Sequence, residues 1–250
     1  GVFGGIYISK VVKYNKANEM MENTQYDEAK TEFIELKNFK DSADLVFECD
    51  YRKSTAFMDA KDYDSAKALY ATIADYKDAT VMITECDYRY ATDLIEAKEY
   101  DKSKEEFAKI TDYKDASDMV FECDYRKANG ILDENKYDDA KKIFVSIADY
   151  KDAADLAKEC DFRKATVIFE DGKYVEAREI FDSIKDYSTA AEDSKKCTYA
   201  YGKELLDQKL FDDAKAEFAS IEDYEDAKTL TGDCDLLHAM DLAINKQYAE

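Results

Sequence analysis

Two kinds of amphipathic segment alternate along the chain, one short and one long. In the short segment at residues 100–110, apolar or small side chains recur at intervals of three and four residues: Tyr100, Ser103, Phe107 and Ile110. This spacing places them on one stripe of an α-helix. The long segment, residues 115–135, has apolar or small side chains on two sides, which is typical of a helix packed between neighbours. The pattern predicts pairs of helices and no strand.

This two-helix unit repeats every 37 residues. All six cysteines follow that step: Cys49, Cys86, Cys123, Cys160, Cys197 and Cys234. So does the aromatic residue that opens each short segment: Tyr26, Tyr63, Tyr100, Tyr137, Tyr174, Phe211 and Tyr248. No insertion interrupts the register, so duplication of one structural unit explains the chain. We expect a leader at residues 1–9, followed over residues 10–250 by about six repeats with partial units at both ends.

The unit resembles the tetratricopeptide repeat, which orders small and large apolar residues over two antiparallel helices. The matching positions in one unit are Ala91, Leu94, Tyr100, Ser103 and Phe107. The resemblance covers residues 10–250 and implies an all-α solenoid, a right-handed superhelix of antiparallel helix pairs that binds proteins or peptides. The unit departs from the family in being longer than about 34 residues. It also closes with Asp-Tyr-Lys-Asp where the family usually has proline, and both departures affect the pitch.

The long period is also similar to repeats in membrane-anchored surface proteins of Gram-positive bacteria. In those proteins a transmembrane helix runs directly into the first repeat. Residues 1–9 are apolar but too few to span a bilayer, which needs about 20 residues. We interpret them as the end of a membrane-spanning helix, with an apolar leader packed on the first repeat as the alternative. The resemblance implies a bacterial membrane protein with extracytoplasmic repeats, and the alternative is a cytoplasmic protein. Residues 247–250 begin another unit.

Charge narrows the class of partner. The 250 residues carry a net charge of −22, with 38% charged and 46% hydrophobic side chains. That apolar content is enough for a sizeable core. The acidic excess repels nucleic acid phosphates and anionic lipid head groups, so we expect neither as a ligand. Membrane contact is expected only through a segment before residue 10. The charge favours solubility or a basic protein partner.

The chemistry-bearing residues do not point to an enzyme, a metal or a cofactor. Equivalent cysteines in adjacent repeats are separated by about 8–10 Å or more, whereas a disulfide needs Cα atoms within about 7 Å. Buried, reduced thiols are therefore predicted. There is no Cys-x-x-Cys pair, and His238 is the only histidine, so zinc lacks ligands. No glycine-rich phosphate loop, nucleophile elbow or calcium loop is present.

Charged residues near the helix ends have structural interpretations. Asp115 is expected to cap the long helix by accepting a backbone N–H bond. The same position holds Asp41, Asp78, Asp152, Thr189 and Asp226 in the other repeats. Glu85 and Arg89 stand four residues apart on one helix, a spacing that stabilises helices by a few tenths of a kcal/mol, about 0.2–0.5.

One column of aromatic residues on the long helices is the candidate binding site. It comprises Tyr51, Tyr88, Tyr125, Phe162 and Tyr199. Acidic and polar residues accompany it: Glu85, Glu122, Thr92 and Asn129. In the family this helix lines the concave groove, so the resemblance implies that the column receives an extended or helical peptide with basic residues.

The alternative is that these rings only pack between repeats. Two other functions remain open from the sequence. One is a structural stalk or spacer that presents another domain. The other is a cell-wall or glycan-binding module, in which the rings would stack on sugars.

Overall fold

The computed structural model describes residues 2–247, with side chains described for residues 4–246. The described residues form thirteen α-helices and no strand. The helices are α1 (Val2–Glu22), α2 (Tyr26–Leu36), α3 (Ser42–Asp59), α4 (Tyr63–Thr72), α5 (Ala79–Glu96), α6 (Tyr100–Ala108), α7 (Ala116–Asp133), α8 (Tyr137–Ser146), α9 (Ala153–Glu170), α10 (Tyr174–Ser183), α11 (Ala190–Asp207), α12 (Phe211–Ala219) and α13 (Ala227–Gln247).

Long and short helices alternate as the pattern predicts. The internal long helices, such as α5, have 18 residues, and the short helices have 9 to 11. The chain divides into two compact units, Gly1–Cys123 and Asp124–Glu250. In the first unit, consecutive helices pack on one another from α1·α2 through α5·α6, and in the second unit from α8·α9 through α12·α13. The predicted all-α fold of antiparallel helix pairs is confirmed, whereas the hand and pitch of a superhelix stay predictions.

The core consists of similar clusters, each built by a short helix and the two long helices around it. In one cluster, Ala66 and Tyr70 of α4 pack on Met58 of α3 and Cys86 of α5. The small alanine allows the helices to approach closely, and the large ring fills the space that remains. All six cysteines are buried, as predicted. Burial raises the pKa of the Cys86 thiol to about 11, so the group is protonated and unreactive at neutral pH.

The turn from each long helix to the next short helix contains a residue with positive φ. These residues are Thr24, Lys61, Lys98, Asn135, Gly172 and Lys209. At the turn after α3, the backbone N–H of Asp62 donates to the carbonyl of Phe57 at 2.9 Å, which closes the helix end. Left-handed backbone is strained for lysine and unstrained for glycine.

Helix α1 runs through residue 9 without interruption. The described part of the apolar leader is therefore continuous with the first long helix. Ile6, Tyr7 and Ile8 are exposed by 52%, 60% and 64%. Within residues 2–247, no helix is both long and apolar enough to cross a membrane. Residues 248–250, where a further unit was predicted to begin, lie outside the described residues.

Candidate functional site on the long helices

Each aromatic side chain of the predicted column is half-buried and packs edge-on against two rings of the following repeat segment. Tyr88 contacts Phe107 at 5.4 Å and Tyr113 at 5.9 Å between ring centroids. Phe162 contacts its two equivalents, Phe181 and Tyr187, at 5.5 and 6.2 Å. The same contacts recur at Tyr51, Tyr125 and Tyr199. Such edge-to-face pairs stabilise a fold by about 0.5–1.5 kcal/mol beyond the burial of their area. The rings therefore connect successive repeats.

The tyrosine hydroxyls donate to the aspartates that were predicted to cap the long helices. Tyr88 Oη donates to Asp115 Oδ1, and Tyr51 Oη to Asp78 Oδ1, both at 2.6 Å. The same bond joins Tyr14 to Asp41, Tyr125 to Asp152 and Tyr199 to Asp226.

The capping prediction is wrong at four of its six positions. Asp78 occupies the N-cap position, but its carboxylate accepts no bond from its own helix. The side chains of Asp41, Asp152 and Thr189 also accept no capping bond from their own helices. The reason is backbone conformation: Asp78 has φ −104° and ψ 25°, whereas a capping side chain needs the extended region. Asp115 and Asp226 likewise accept from tyrosines of the preceding long helix.

One repeat replaces both members of the hydroxyl–carboxylate pair at once. Phe162 stands in the tyrosine column, and Thr189, at the aspartate position of the following long helix, lacks a carboxylate. Thr189 Oγ1 donates instead to Asp193 of its own helix at 2.6 Å. In the next repeat both residues return as Tyr199 and Asp226.

At Tyr51, Tyr88 and Tyr125, the lysine of the Asp-Tyr-Lys-Asp turn lies over the ring. Lys114 Nζ lies 4.7 Å from the ring centroid of Tyr88, and Lys77 Nζ lies 4.9 Å from that of Tyr51. Lys114 has φ 48°, and this left-handed turn directs the ammonium group back over the ring. Such cation–π contacts contribute about 0.5–1 kcal/mol at exposed sites. Since sugars stack on open ring faces, these three rings give no support to glycan stacking.

The predicted glutamates are also engaged within the chain. Glu85 accepts from Arg89 at 3.0 Å, from Tyr113 at 2.8 Å and from Lys114 at 2.5 Å. Burial alone would raise the pKa of Glu85, but these three donors lower it overall. Glu122, at the equivalent position one repeat later, is buried. An incoming basic peptide would therefore compete with internal cations.

Polar residues four positions after the aromatic column bond to their own helix. Thr92 Oγ1 donates to the Tyr88 carbonyl at 2.9 Å, and Asn129 Nδ2 donates to the Tyr125 carbonyl at 2.8 Å. These bonds hold the side chains against the helix. The hydroxyl oxygen of Thr92 and the amide oxygen of Asn129 remain acceptors.

Three of the nine predicted residues meet at one open groove in the first unit, here called the Tyr88 groove. Glu85, Tyr88 and Thr92 of α5 line a cavity of about 320 Å³ together with Met58 and Asp59 of α3. Its remaining walls are Lys61, Tyr63, Arg89 and Asp93. Tyr51, Glu122, Tyr125, Asn129, Phe162 and Tyr199 do not line this groove.

Asp93 is a groove residue that sequence reasoning missed. It accepts from Lys61 Nζ and from Tyr63 Oη, both at 2.7 Å. Burial alone would raise its pKa, but both bonds lower it overall. The signal was present in the sequence, because Ala56 and Gly130 occupy the same register position in neighbouring repeats. An acid that breaks the repeat pattern marks a local contact.

The ionised groups of the Tyr88 groove are already paired. Arg89 contacts both Glu85 and Asp59, and Lys61 contacts Asp93. Three acids against two bases leave one net negative charge. The groove therefore offers an aromatic edge, the apolar Met58 side chain and hydrogen-bond acceptors, with only a weak electrostatic preference for a cation.

The single histidine of the sequence, His238, lies half-buried on α13. His238 stacks on Phe211 with ring centroids 5.4 Å apart, and its Nδ1 lies 3.6 Å from Asp212 Oδ1. The histidine therefore has an acidic neighbour that its sequence position did not indicate. Among the described residues, no group of three or more His, Cys, Asp or Glu side chains is placed to hold a metal ion.

Comparison with solved structures gives similarities at low sequence identity. No protein-family model matches the chain, and no curated protein matches it. The chain is similar to the crystal structure of the TPR domain of P58(IPK), at 14% identity and a TM-score of 0.26, over 93% of this chain and 66% of that one. It is similar to the apo form of RapI at 13% identity and a TM-score of 0.24, over 93% and 81% of the two chains.

The chain thus spans just under two thirds of the length of the first of these structures. At such TM-scores the likeness carries no argument about function. The fold assignment rests on the thirteen described helices themselves.

Proposed function

We propose that this chain is a non-catalytic helical-repeat scaffold that binds a protein or peptide. The observation that carries the proposal is the Tyr88 groove, an open cavity of about 320 Å³ between consecutive repeats. Its walls combine a half-buried aromatic ring with polar acceptors, the mixture found where peptides dock. Tyr88 contributes a rigid edge, while Thr92 and Asp93 contribute acceptors for backbone or side-chain donors of the partner.

A tether to the bacterial cell membrane, with the repeats outside the cytoplasm, belongs to the proposal as its location. Its support is the apolar composition of residues 1–9 and the sequence resemblance to anchored surface proteins. The exposure of Ile6, Tyr7 and Ile8 on α1 agrees with an apolar segment that needs another environment. A cytoplasmic location is the alternative, and protease accessibility of the repeats in intact source cells distinguishes the two.

A structural spacer is the second candidate function. The observation that favours it is that the column hydroxyls and Glu85 are bonded within the chain. If these polar side chains mainly stabilise the contacts between successive repeats, the chain is suited to hold another domain at a distance. A spacer needs no ligand in the Tyr88 groove.

The test uses a matched pair of blocking substitutions. Thr92→Arg places a long side chain in the Tyr88 groove, and Thr166→Arg makes the same change at the register-equivalent position in the second unit. Both threonines make the same bond to their own helix, so both variants should have similar melting temperatures. We expect wild type and Thr166→Arg to capture a protein from source-cell fractions that Thr92→Arg does not. Equal capture by all three chains would contradict the groove, and no specific capture would favour the spacer.

A further inference from the structure

A second cavity in the first unit has no residue of the aromatic column in its lining, although Tyr76, which lines it, packs on Tyr51 of the column. It occupies about 270 Å³ and is lined by Asp44 and Phe47 of α3 and by residues 72–76, and we call it the Phe47 pocket. Phe47 is 44% exposed and stacks on Tyr76 with ring centroids 5.8 Å apart and an interplanar angle of 26°. The pocket therefore presents an accessible aromatic surface.

Two carboxylates flank this ring. Asp44 and Asp75 are both exposed and both line the pocket. Within the described residues, the structure gives neither carboxylate a hydrogen bond or an ion pair. Tyr76, in contrast, is engaged, because its hydroxyl donates to Glu48 at 3.0 Å. The free polar groups of the pocket are thus acids beside an aromatic face.

In the second unit, the aspartate equivalent to Asp75 forms an ion pair with a lysine. The register position of Phe47 is held there by Lys158 and Lys195. Lys158 Nζ pairs with Asp186 at 2.7 Å, and Lys195 Nζ pairs with Asp223 at 2.6 Å. Asp186 and Asp223 stand at the register position of Asp75. The aspartate at this place in the repeat therefore pairs with a lysine twice, whereas in the Phe47 pocket a phenylalanine stands at the register position of that lysine.

We propose that the Phe47 pocket binds a cationic side chain, arginine or lysine, from a basic segment of a partner protein. The aliphatic stem of that side chain lies on Phe47, and its charge faces Asp75 and Asp44. Arginine is favoured, because a planar guanidinium group stacks on aromatic rings as well as pairing with carboxylates. The net charge of −22 also attracts a basic partner. This pocket is separate from the Tyr88 groove, so either one stands without the other.

The experiment titrates the full chain with small probes and follows the Phe47 ring by NMR. The probes are n-butylguanidinium and its neutral analogue n-butylurea, which has a similar shape without the charge. We expect saturable shifts of the Phe47 ring with n-butylguanidinium and at least about threefold weaker binding of n-butylurea, because the neutral probe can make neither the ion pair nor the cation–π contact. Equal shifts with both probes, or no saturation, would overturn the proposal.

Substitutions taken from the other repeats make the test specific. Phe47→Lys copies the arrangement of Lys158 and should pair internally with Asp75, which keeps the fold and abolishes binding of n-butylguanidinium. Asp75→Asn should weaken binding about two- to fivefold, the equivalent of about 0.5–1 kcal/mol. Lys158→Phe should create a second binding position, because Asp155 and Asp186 stand where the pocket has Asp44 and Asp75.

A Phe47→Lys chain that melts at the wild-type temperature and still binds the guanidinium probe would overturn the proposal. The outcome is independent of the Thr92→Arg capture experiment. If the probe binds but no protein is captured, the Phe47 pocket is supported and the proposed scaffold function is contradicted. If a protein is captured but the probe does not bind, only the Phe47 pocket is contradicted.

Discussion

Two equivalent turns, one in each unit, hold a long helix to the repeat that follows it. The Tyr88 turn comprises Tyr88, Lys114 and Asp115, and the Phe162 turn comprises Phe162, Ser188 and Thr189. The ring packing is nearly the same in both. Tyr88 and Phe162 lie 5.4 and 5.5 Å from the buried ring of the next short helix, Phe107 and Phe181.

The polar contacts of the two turns differ completely. The Tyr88 turn has a hydroxyl–carboxylate bond of 2.6 Å and an ammonium group 4.7 Å from the ring centroid. The Phe162 turn has neither, because Phe162 lacks a hydroxyl, Ser188 lacks a charge and Thr189 lacks a carboxylate. Both turns have the aromatic ring, whereas the hydroxyl, ammonium and carboxylate groups of the Tyr88 turn are all absent from the Phe162 turn. From this difference we expect the ring to supply most of the stability and the polar contacts to add a smaller, coupled contribution.

The largest expected effect tests the part that both turns share. Phe107→Ala and Phe181→Ala should each lower the free energy of unfolding by about 3–5 kcal/mol, because each removes a buried ring and leaves a cavity. Urea denaturation monitored by circular dichroism measures both. Val81→Ala, at a side chain that is 50% exposed, is the control and should change stability by about 0.5 kcal/mol or less. A much larger loss at Phe181 would mean that the two turns do not share one packing solution.

Alkaline pH should act more strongly on the Tyr88 turn. The hydrogen bond to Asp115, followed by burial, raises the pKa of Tyr88 to about 12, above about 10 for a free tyrosine. The folded chain therefore holds this proton more tightly than the unfolded chain. Its contribution to stability is complete below about pH 10 and is lost as the pH rises towards 12.

Urea denaturation between pH 8 and pH 11.5 should show this fall, and Tyr88→Phe should make the fall shallower. Tyr187 of the second unit has its own pKa raised to about 12 by burial and by Glu159, so some pH dependence remains in every variant. An unchanged slope in Tyr88→Phe would disconnect the hydroxyl bond from stability.

A double-mutant cycle tests whether the hydroxyl and the carboxylate act as a pair. Tyr88→Phe and Asp115→Thr should each cost about 1 kcal/mol, and together less than their sum, with a coupling energy of about 0.5–1 kcal/mol. The reverse cycle, Phe162→Tyr with Thr189→Asp, should gain stability only when both changes are present. Additive effects in both cycles would show that the joint replacement in the Phe162 turn has no energetic basis.

The smallest expected effect concerns the lysine over the ring. Lys114→Ser should cost about 0.5 kcal/mol, because it removes an exposed cation–π contact and an ion pair with Glu85. Ser188→Lys should gain a similar amount, since Glu159 and Phe162 offer the same two contacts. Thermal melts at low and high salt separate the terms, because salt screens the ion pair. A loss of stability in Ser188→Lys would contradict the equivalence of the two turns.

The regular periodicity of the sequence was enough to predict the helices. The segments predicted at residues 100–110 and 115–135 correspond to Tyr100–Ala108 and Ala116–Asp133. The buried cysteines and the aromatic column were equally accessible, because both recur in one register. The residues that contact the aromatic column could not be predicted in this way. The bond from Tyr88 to Asp115 joins residues 27 apart in sequence and depends on how the next long helix is placed.

One signal for that bond was nevertheless present, since Phe162 and Thr189 replace both members in the same repeat. This joint departure from the repeat pattern indicates that the two positions are in contact. The Tyr88 groove had a weaker signal in Asp93, which departs from its register position. The Phe47 pocket required the structure, because the stacking of Phe47 on Tyr76 is a matter of three-dimensional placement.

The sequence by itself determined the helices, their alternation and the identity of the buried positions, because a 37-residue register with helical spacing leaves one consistent way to bury the apolar stripes. Only the tertiary structure decided which polar groups meet. Asp78 accepts a hydrogen bond from a tyrosine hydroxyl rather than from a backbone N–H of its own helix, and Glu85 accepts bonds from three donors of its own chain. Hydrogen bonds depend on distance and direction within a few tenths of an ångström, and a repeat pattern specifies neither across the gap between helices.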